Sequence, residues 1–355
     1  MPAFREGRVK EIVQERHALQ RARVELEDPR EEILVSCYDA LQPLEAGDRV
    51  IVNTTGLELG LGTGGEGFVL WVEGAGRTYP GEGHIMKMRY TPLQTEVLAS
   101  EAPESPHHAL LRDADDLTGC PVVACGLHSQ IAGVAAGVKA ARPTARVAYV
   151  MSDGGALPIA WSDLVAGLKD ALLLDSTVTY GHAFGGDVEA VNVFTALLAA
   201  RLVAEADVVV AAMGPGGVGT GTRLGYTGIE QAQVLDATTA LKGRPVGCLR
   251  ISFSDPRDRH EGISHHSLTS LRLTGHPVTV AVPELPDAQR DLVAGQLQAL
   301  EGRTRVVAAD GEPGLELLRQ KGITPESMGR SIDASPEPFL AAAAAGAVAA
   351  SMLEG

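Results

Sequence analysis

The chain has 355 residues, 45% of them hydrophobic, enough for one large buried core or two. Aromatic residues are only 4% and glycines number 41, so that core relies on close approach of small side chains. With 45 acidic against 30 basic residues the net charge is −15, which argues against a nucleic-acid or anionic-membrane surface and leaves room for a local basic pocket at most.

Strand patterns dominate the first 90 residues. Residues 8–13 and 21–26 alternate charged and apolar side chains, and 31–37 ("EEILVSC") form a third candidate strand. In 44–52, "LEAGDRVIV", Gly-Asp precedes a β-branched run, a hairpin signal. Residues 67–74, "GFVLWVEG", complete a set of five or six short strands that predicts a small β-barrel domain over 1–90. At its end, "GHIMKMRYTPLQ" (83–94) places Lys87 and Arg89 on one strand face, with Met86, Met88 and Tyr90 on the other. That face is either exposed surface or a lid over a cleft. Residues 91–118 carry three prolines and many charges and read as a linker.

From 119 to 355 the rhythm becomes strand–loop–helix, which predicts an α/β, Rossmann-like domain with a doubly wound, mostly parallel sheet. Strands are expected at 122–125, 147–150, 176–179, 208–212, 246–251, 278–282 and 305–308. Helices are expected at 130–141, 163–173, 189–206, 229–241 and 287–299. Thr324-Pro325 and Ser335-Pro336 look like N-cap and first-turn proline of two more. The Ala-rich segment 339–353 is too short to span a membrane and packs in the core or in a subunit contact, so a homo-oligomer is compatible with it. Cys37, Cys120, Cys125 and Cys248 form no C-x-x-C motif, and "MPAFREGRVK" lacks an apolar signal segment. A cytoplasmic protein with reduced thiols is expected.

The unusual loops follow the predicted strands: "GLHSQ" (126–130), "SDGGALP" (152–158), "GHAFGGD" (181–187), "GPGGVGTGTRLGYTG" (214–228) and "SDPRDRHEGISHH" (254–266). In a parallel sheet they must gather at the carboxyl ends of the strands, where α/β sheets bind ligands. Within "GPGGVGTGT", Gly214, Gly216, Gly217, Gly219 and Thr220 offer backbone amides to an anion, with Arg223 as counter-cation. The helix pattern is delayed to about Thr227 and no acid follows at the spacing a dinucleotide site wants, so a phosphate or other anion, or a tight structural turn, is preferred to NAD. Ser129 sits where a nucleophile would, but Leu127 and Ile131 are too large for a nucleophile elbow, and an N-cap is the better reading. Asp187 and Glu189 are explained as N-cap and first-turn acid of the following helix; His182 is not. His260, His265 and His266, with His182, are the candidates to move protons, oriented by Asp255 or Asp153. Asp153, His182, Asp187 and His265 are candidate metal ligands, joined by His260 and His266.

Four phrases occur together and in order: "GHIMKMRYTPLQ", "GHAFGGDVEAVN", "GPGGVGTGTRLGYTG" and "GISHHSLTSL". On them the chain resembles, over nearly its whole length, a bacterial family filed as a domain of unknown function. The resemblance implies a single evolutionary unit and no activity.

The leading expectation is an enzyme or ligand-binding protein for a small anionic or phosphorylated molecule, with no nucleic-acid or membrane partner and the cofactor left open. A metal-dependent hydrolase using the same His/Asp loops is the second reading. A non-catalytic interaction or scaffold protein is the third.

Overall fold

The computed structural model describes residues 2–38, 43–60, 65–76, 83–327 and 329–353. The chain divides into two compact units, residues 1–81 with 90–94, and residues 82–89 with 95–355.

The smaller unit is a closed barrel of β1 (Phe4–Arg16), β2 (Leu19–Leu26), β3 (Glu31–Tyr38), β4 (Arg49–Asn53) and β5 (Glu66–Val72), in the order β1-β2-β3-β5-β4. Alternation fills it: Ala22, Val24 and Leu26 of β2 meet Val50 and Val52 of β4 inside. Gly7 is needed there, because a Cβ would lie 2.6 Å from a Val24 methyl. A buried ion pair, Arg21 Nε to Glu66 Oε1 at 2.9 Å, lies in the same unit. The hairpin expected at 44–52 does not form. The turn is present, with Gly47 at φ +99, but β4 pairs with β1 and β5 rather than with the strand before it. A short helix, α1 (Thr55–Glu58), follows β4.

The larger unit opens with a two-stranded antiparallel ribbon, β6 (Ile85–Lys87) and β7 (Thr95–Val97), and a short helix α2 (His108–Leu111). Of the segment 91–118, residues 91–94 fall in the smaller unit, and from Thr95 onward the chain carries β7 and α2 within this one. Eight parallel strands follow: β8 (Pro121–Ala124), β9 (Val147–Ser152), β10 (Ser176–Thr179), β11 (Val188–Glu189), β12 (Val208–Met213), β13 (Arg244–Gly247), β16 (Val278–Val282) and β17 (Thr304–Ala308). Their order is β11-β10-β9-β12-β8-β13-β16-β17. A separate antiparallel pair, β14 (Ile251–Ser252) and β15 (Gly262–Ile263), stands beside the sheet. The strand expected over 246–251 is therefore two pieces, because the chain leaves the sheet after Gly247.

Successive strand residues face opposite cores. Val208, Val210 and Ala212 of β12 join one cluster with α3 (Gln130–Ala141), α4 (Asp163–Asp170), α9 (Glu312–Gln320) and α10 (Glu337–Ser351). Val209 and Ala211 join the other with α5 (Val193–Leu202), α6 (Glu230–Ala240), α7 (His265–Leu273) and α8 (Asp287–Gln298). A sheet covered on both faces explains the uninterrupted Val/Ala runs. The Ala-rich α10 packs in the core against α3; a Cβ on Gly137 would fall on the Ala343 carbonyl, and one on Gly346 on the Val134 carbonyl. Among the described residues no helix is long and apolar enough to cross a membrane.

Two helix expectations fail. No helix starts at Thr324-Pro325; the helix of this region is α9, which carries its own first-turn proline, Pro313. The helix expected from 189 starts at Val193, because Val188 and Glu189 pair with Val178 and Thr179 as an edge strand. Asn192 is the cap, its Oδ1 accepting from the amides of Phe194 (2.9 Å) and Thr195 (3.2 Å).

Candidate functional site

All five singular loops lie at the carboxyl edge of the parallel strands, and they are tied to one another. The His182 amide donates to Asp153 Oδ2 (2.9 Å), joining the loops after β10 and β9. The Ala156 amide donates to the Pro215 carbonyl (2.7 Å), joining β9's loop to β12's. The Tyr226 hydroxyl donates to the His266 carbonyl (2.8 Å), joining β12's loop to the segment after β13. Gln231 Nε2 donates to the carbonyls of Ala124 (2.8 Å) and Cys248 (2.9 Å), at the ends of β8 and β13. The chain leaves β8 toward β9 and leaves β12 toward β13, crossing itself at neighbouring strands, which makes this the switch point of the sheet. A cavity of about 490 Å³ opens there, lined among others by His128, Ser129, Gly214, Gly216 and Gly217.

One end of this edge is rich in arginine and histidine. His260 is 1% exposed, and His265 and His266 open α7. Their ring centroids lie 5.1 Å (His260–His265), 5.3 Å (His260–His266) and 4.1 Å (His265–His266) apart. Tyr226 stacks on His266 at 4.0 Å and 13°. Ser264, the N-cap of α7, accepts from the His266 amide and lies 2.7 Å from His260 Nδ1. Around them stand Arg250, Arg257 and Arg259. Asp255 takes Arg250 Nη2 at 3.0 Å and Arg257 Nη2 at 2.8 Å, and its hydrogen bonds with Arg257 hold its carboxyl far below the usual range. Arg259 is exposed and has no ion pair among the described residues. Burial first, then Arg250 and Arg257, push His260 down to about 3. Burial, then His265 and Arg250, push His266 down to about 4. His265 is lowered by burial and by Arg259. The His260 and His266 rings are neutral at neutral pH.

A carboxyl group lies farther along. Glu230, first residue of α6, hydrogen-bonds to the Ser152 hydroxyl at the end of β9. Burial, with a smaller push from Asp153, raises it to about 7 against the opposing Ser152 bond. Gly154 makes the space, since a Cβ there would lie 2.6 Å from Glu230 Oε2. The same two acids, after burial, raise the Tyr180 hydroxyl.

The remaining candidate residues are placed as follows. Asp187 is not a helix cap: it takes Lys169 Nζ (2.6 Å) and the Thr177 amide (2.8 Å) and hydroxyl (2.9 Å), anchoring the sheet edge. Glu189 is not a first-turn acid: its Oε2 lies 3.2 Å from Lys87 Nζ, which is fully buried and also donates to the Ala190 carbonyl. Lys87 is thus neither an exposed strand residue nor a lid. His182 Nδ1 accepts from the Met88 amide (3.0 Å), and Arg89 Nη2 lies 3.4 Å from its Nε2. Asp153, His182 and Asp187 do not join His265. Among the described residues, the only set of three or more His, Cys, Asp or Glu side chains with ligand atoms all within 4.8 Å of one another is His260, His265 and His266. Ser129 occupies the N-cap position of α3 without a side-chain cap bond; Gln130 Oε1 instead accepts from the amides of Gly126 and Leu127, both at 3.0 Å.

The glycine loop is partly self-contained. Thr220 Oγ1 donates to the Gly225 carbonyl (2.9 Å), and the Thr227 amide donates to Val218 O (2.9 Å). Gly214 is buried under the Ala156 carbonyl, whereas Gly216, Gly217, Gly219 and Arg223 are exposed. The loop therefore runs from the cavity, at Gly214, to the histidines, at Tyr226.

Sequence reasoning passed over Glu230, Arg250, Tyr226 and His128, and gave no role to Arg257 and Arg259, the two arginines of the 254–266 loop. His128 donates from Nδ1 to the Met213 carbonyl (3.2 Å) and accepts at Nε2 from Ser162 (2.7 Å), and burial pushes it down to about 4. The signal for Tyr226 and Glu230 was their place at the end of the glycine loop and the head of the next helix.

The sequence profile of a family described as "Protein of unknown function (DUF3866)" matches residues 35–346. No curated protein and no solved structure matches the chain.

Proposed function

The chain belongs to this family of proteins of unknown function, and on the geometry we propose that it binds, and acts on, a small oxyanion-bearing molecule at the carboxyl edge of its parallel sheet. One observation carries the reading: Arg250, Arg257 and Arg259 gather beside three histidines, and among the described residues Asp255 is the one carboxylate bonded to these arginines, in a chain of net charge −15. Two of these cations share one carboxylate and the third pairs with none among the described residues, although Asp258 and Glu261 stand exposed in the same loop; the unpaired guanidinium favours a ligand that brings negative charge, and guanidinium suits the planar oxygens of phosphate or carboxylate. Arg259, exposed and without an ion pair among the described residues, is the group with most to gain. Glu230, titrating near neutrality at the same edge, fits the acid–base group of such a site. Cys120, Cys125 and Cys248 are buried free thiols, which accords with a cytoplasmic setting.

The test is a calorimetric screen of inorganic phosphate, sugar phosphates, nucleotides and acyl anions. A charge-assisted hydrogen bond lost in Arg259→Ala weakens the ligand by about tenfold or more. The reading fails if no anion binds, or if Arg259→Ala and Arg223→Ala bind as tightly as the wild type.

A further inference from the structure

Resting on that reading, we infer that the same site is a divalent metal centre: His260, His265 and His266 each give one ring nitrogen to a first-row transition ion of the zinc class, whose open positions take water or the substrate's oxyanion.

The first support is position. One ring nitrogen from each histidine can be chosen so that all three lie within 4.8 Å of one another. Three imidazoles bound tetrahedrally to zinc would have ring centroids about 5.2 Å apart, given Zn–N bonds of about 2.0–2.1 Å. His260 already stands 5.1 Å and 5.3 Å from its two neighbours, so only the 4.1 Å His265–His266 separation must open.

The second support is independent. His260 Nε2 and His265 Nε2 are buried and meet no hydrogen-bonding group among the described residues. A buried polar atom left so costs about 1–3 kcal/mol. Two such nitrogens in neighbouring rings are answered together by one ion.

The surroundings are those of held ligands. His260 Nδ1 lies 2.7 Å from Ser264 Oγ and 3.5 Å from Arg250 Nη1; in the tautomer whose Nδ1–H donates to Ser264, Nε2 carries the lone pair an ion needs. Tyr226 fixes His266 by stacking on its ring and bonding its carbonyl. An all-imidazole set selects zinc, cobalt, nickel or copper over magnesium and calcium.

Charge then couples ion and anion. Arg250, Arg257 and Arg259 oppose a bare dication, and Asp255 offsets only part of this. An oxyanion in the open positions relieves the repulsion, so phosphate must tighten zinc binding and zinc must tighten phosphate binding by the same factor.

The experiment uses full-length protein without a histidine tag, stripped with chelator, titrated with zinc, and titrated with phosphate both metal-free and zinc-loaded. Zinc is expected to bind at one equivalent, and to bind about a hundredfold or more weaker in His265→Ala/His266→Ala. Wild-type protein loaded with cobalt(II) is expected to show the strong visible bands of a tetrahedral site, a readout that needs no variant to fold. Zinc bound no tighter than in the double variant, or cobalt without those bands, overturns the metal centre. Phosphate that binds metal-free protein through Arg259, with no zinc bound, leaves the anion reading standing and ends this one. Zinc that binds while no screened anion binds either form ends the anion reading and leaves the metal centre.

Discussion

Replacing Glu230 by glutamine tests the buried carboxyl at the head of α6. The folded protein raises this group from 4.5 to about 7, chiefly by burial. Because the folded value is the higher one, the fold favours the protonated acid. Its stabilising contribution is complete below about pH 4.5 and is lost as pH rises through about 7. A shift of roughly 2.5 pH units at 1.36 kcal/mol each gives about 3 kcal/mol, an order-of-magnitude value. Glutamine keeps a polar partner for Ser152 and does not titrate. Urea unfolding of the larger unit can be followed by Trp161 fluorescence in a Trp71→Phe background, since the chain has two tryptophans, one per unit. Glu230→Gln should gain on its parent between about pH 5 and about pH 8, by up to about 3 kcal/mol. A difference that stays flat over that interval refutes the burial argument.

Lys87→Met should destabilise the larger unit by about 3 kcal/mol or more, because it leaves Glu189 buried without its cation, and adding Glu189→Gln should recover part of the loss in the same urea assay. Gly137→Ala, which in an exposed helix would add about 1 kcal/mol, should instead cost about 1–3 kcal/mol here because the new methyl meets the Ala343 carbonyl of α10; thermal unfolding reads the sign. Asn192→Ala should cost about 1 kcal/mol by removing the cap of α5, whereas Asp187 substitutions should leave that helix's amide-exchange protection unchanged.

The parallel sheet was legible because its strands are buried on both faces and so read as unbroken apolar runs such as "DVVVAAM" before the glycine loop. From that alternation alone the gathering of five loops at one edge followed, and His260, His265 and His266 were read as candidates that the fold then brings together. What was not legible depends on partners distant in sequence. Asp187 and Glu189 look like the start of a helix, and only pairing with β10 and contact with Lys87 make them an edge strand. Glu230 is perturbed because Gly154, on another loop, lets its carboxyl lie over the end of β9. Arg250 sits between Gly247, where the chain leaves the sheet, and Ile251, where the next pair begins, a break that a continuous strand pattern conceals.

The most direct measurement is crystallographic: crystals soaked with tungstate, a heavy-atom mimic of phosphate, examined by anomalous scattering. The account predicts a peak held by Arg259 and Arg257 beside His265 and His266. An ordered peak elsewhere on the protein, with none among those four side chains, contradicts it.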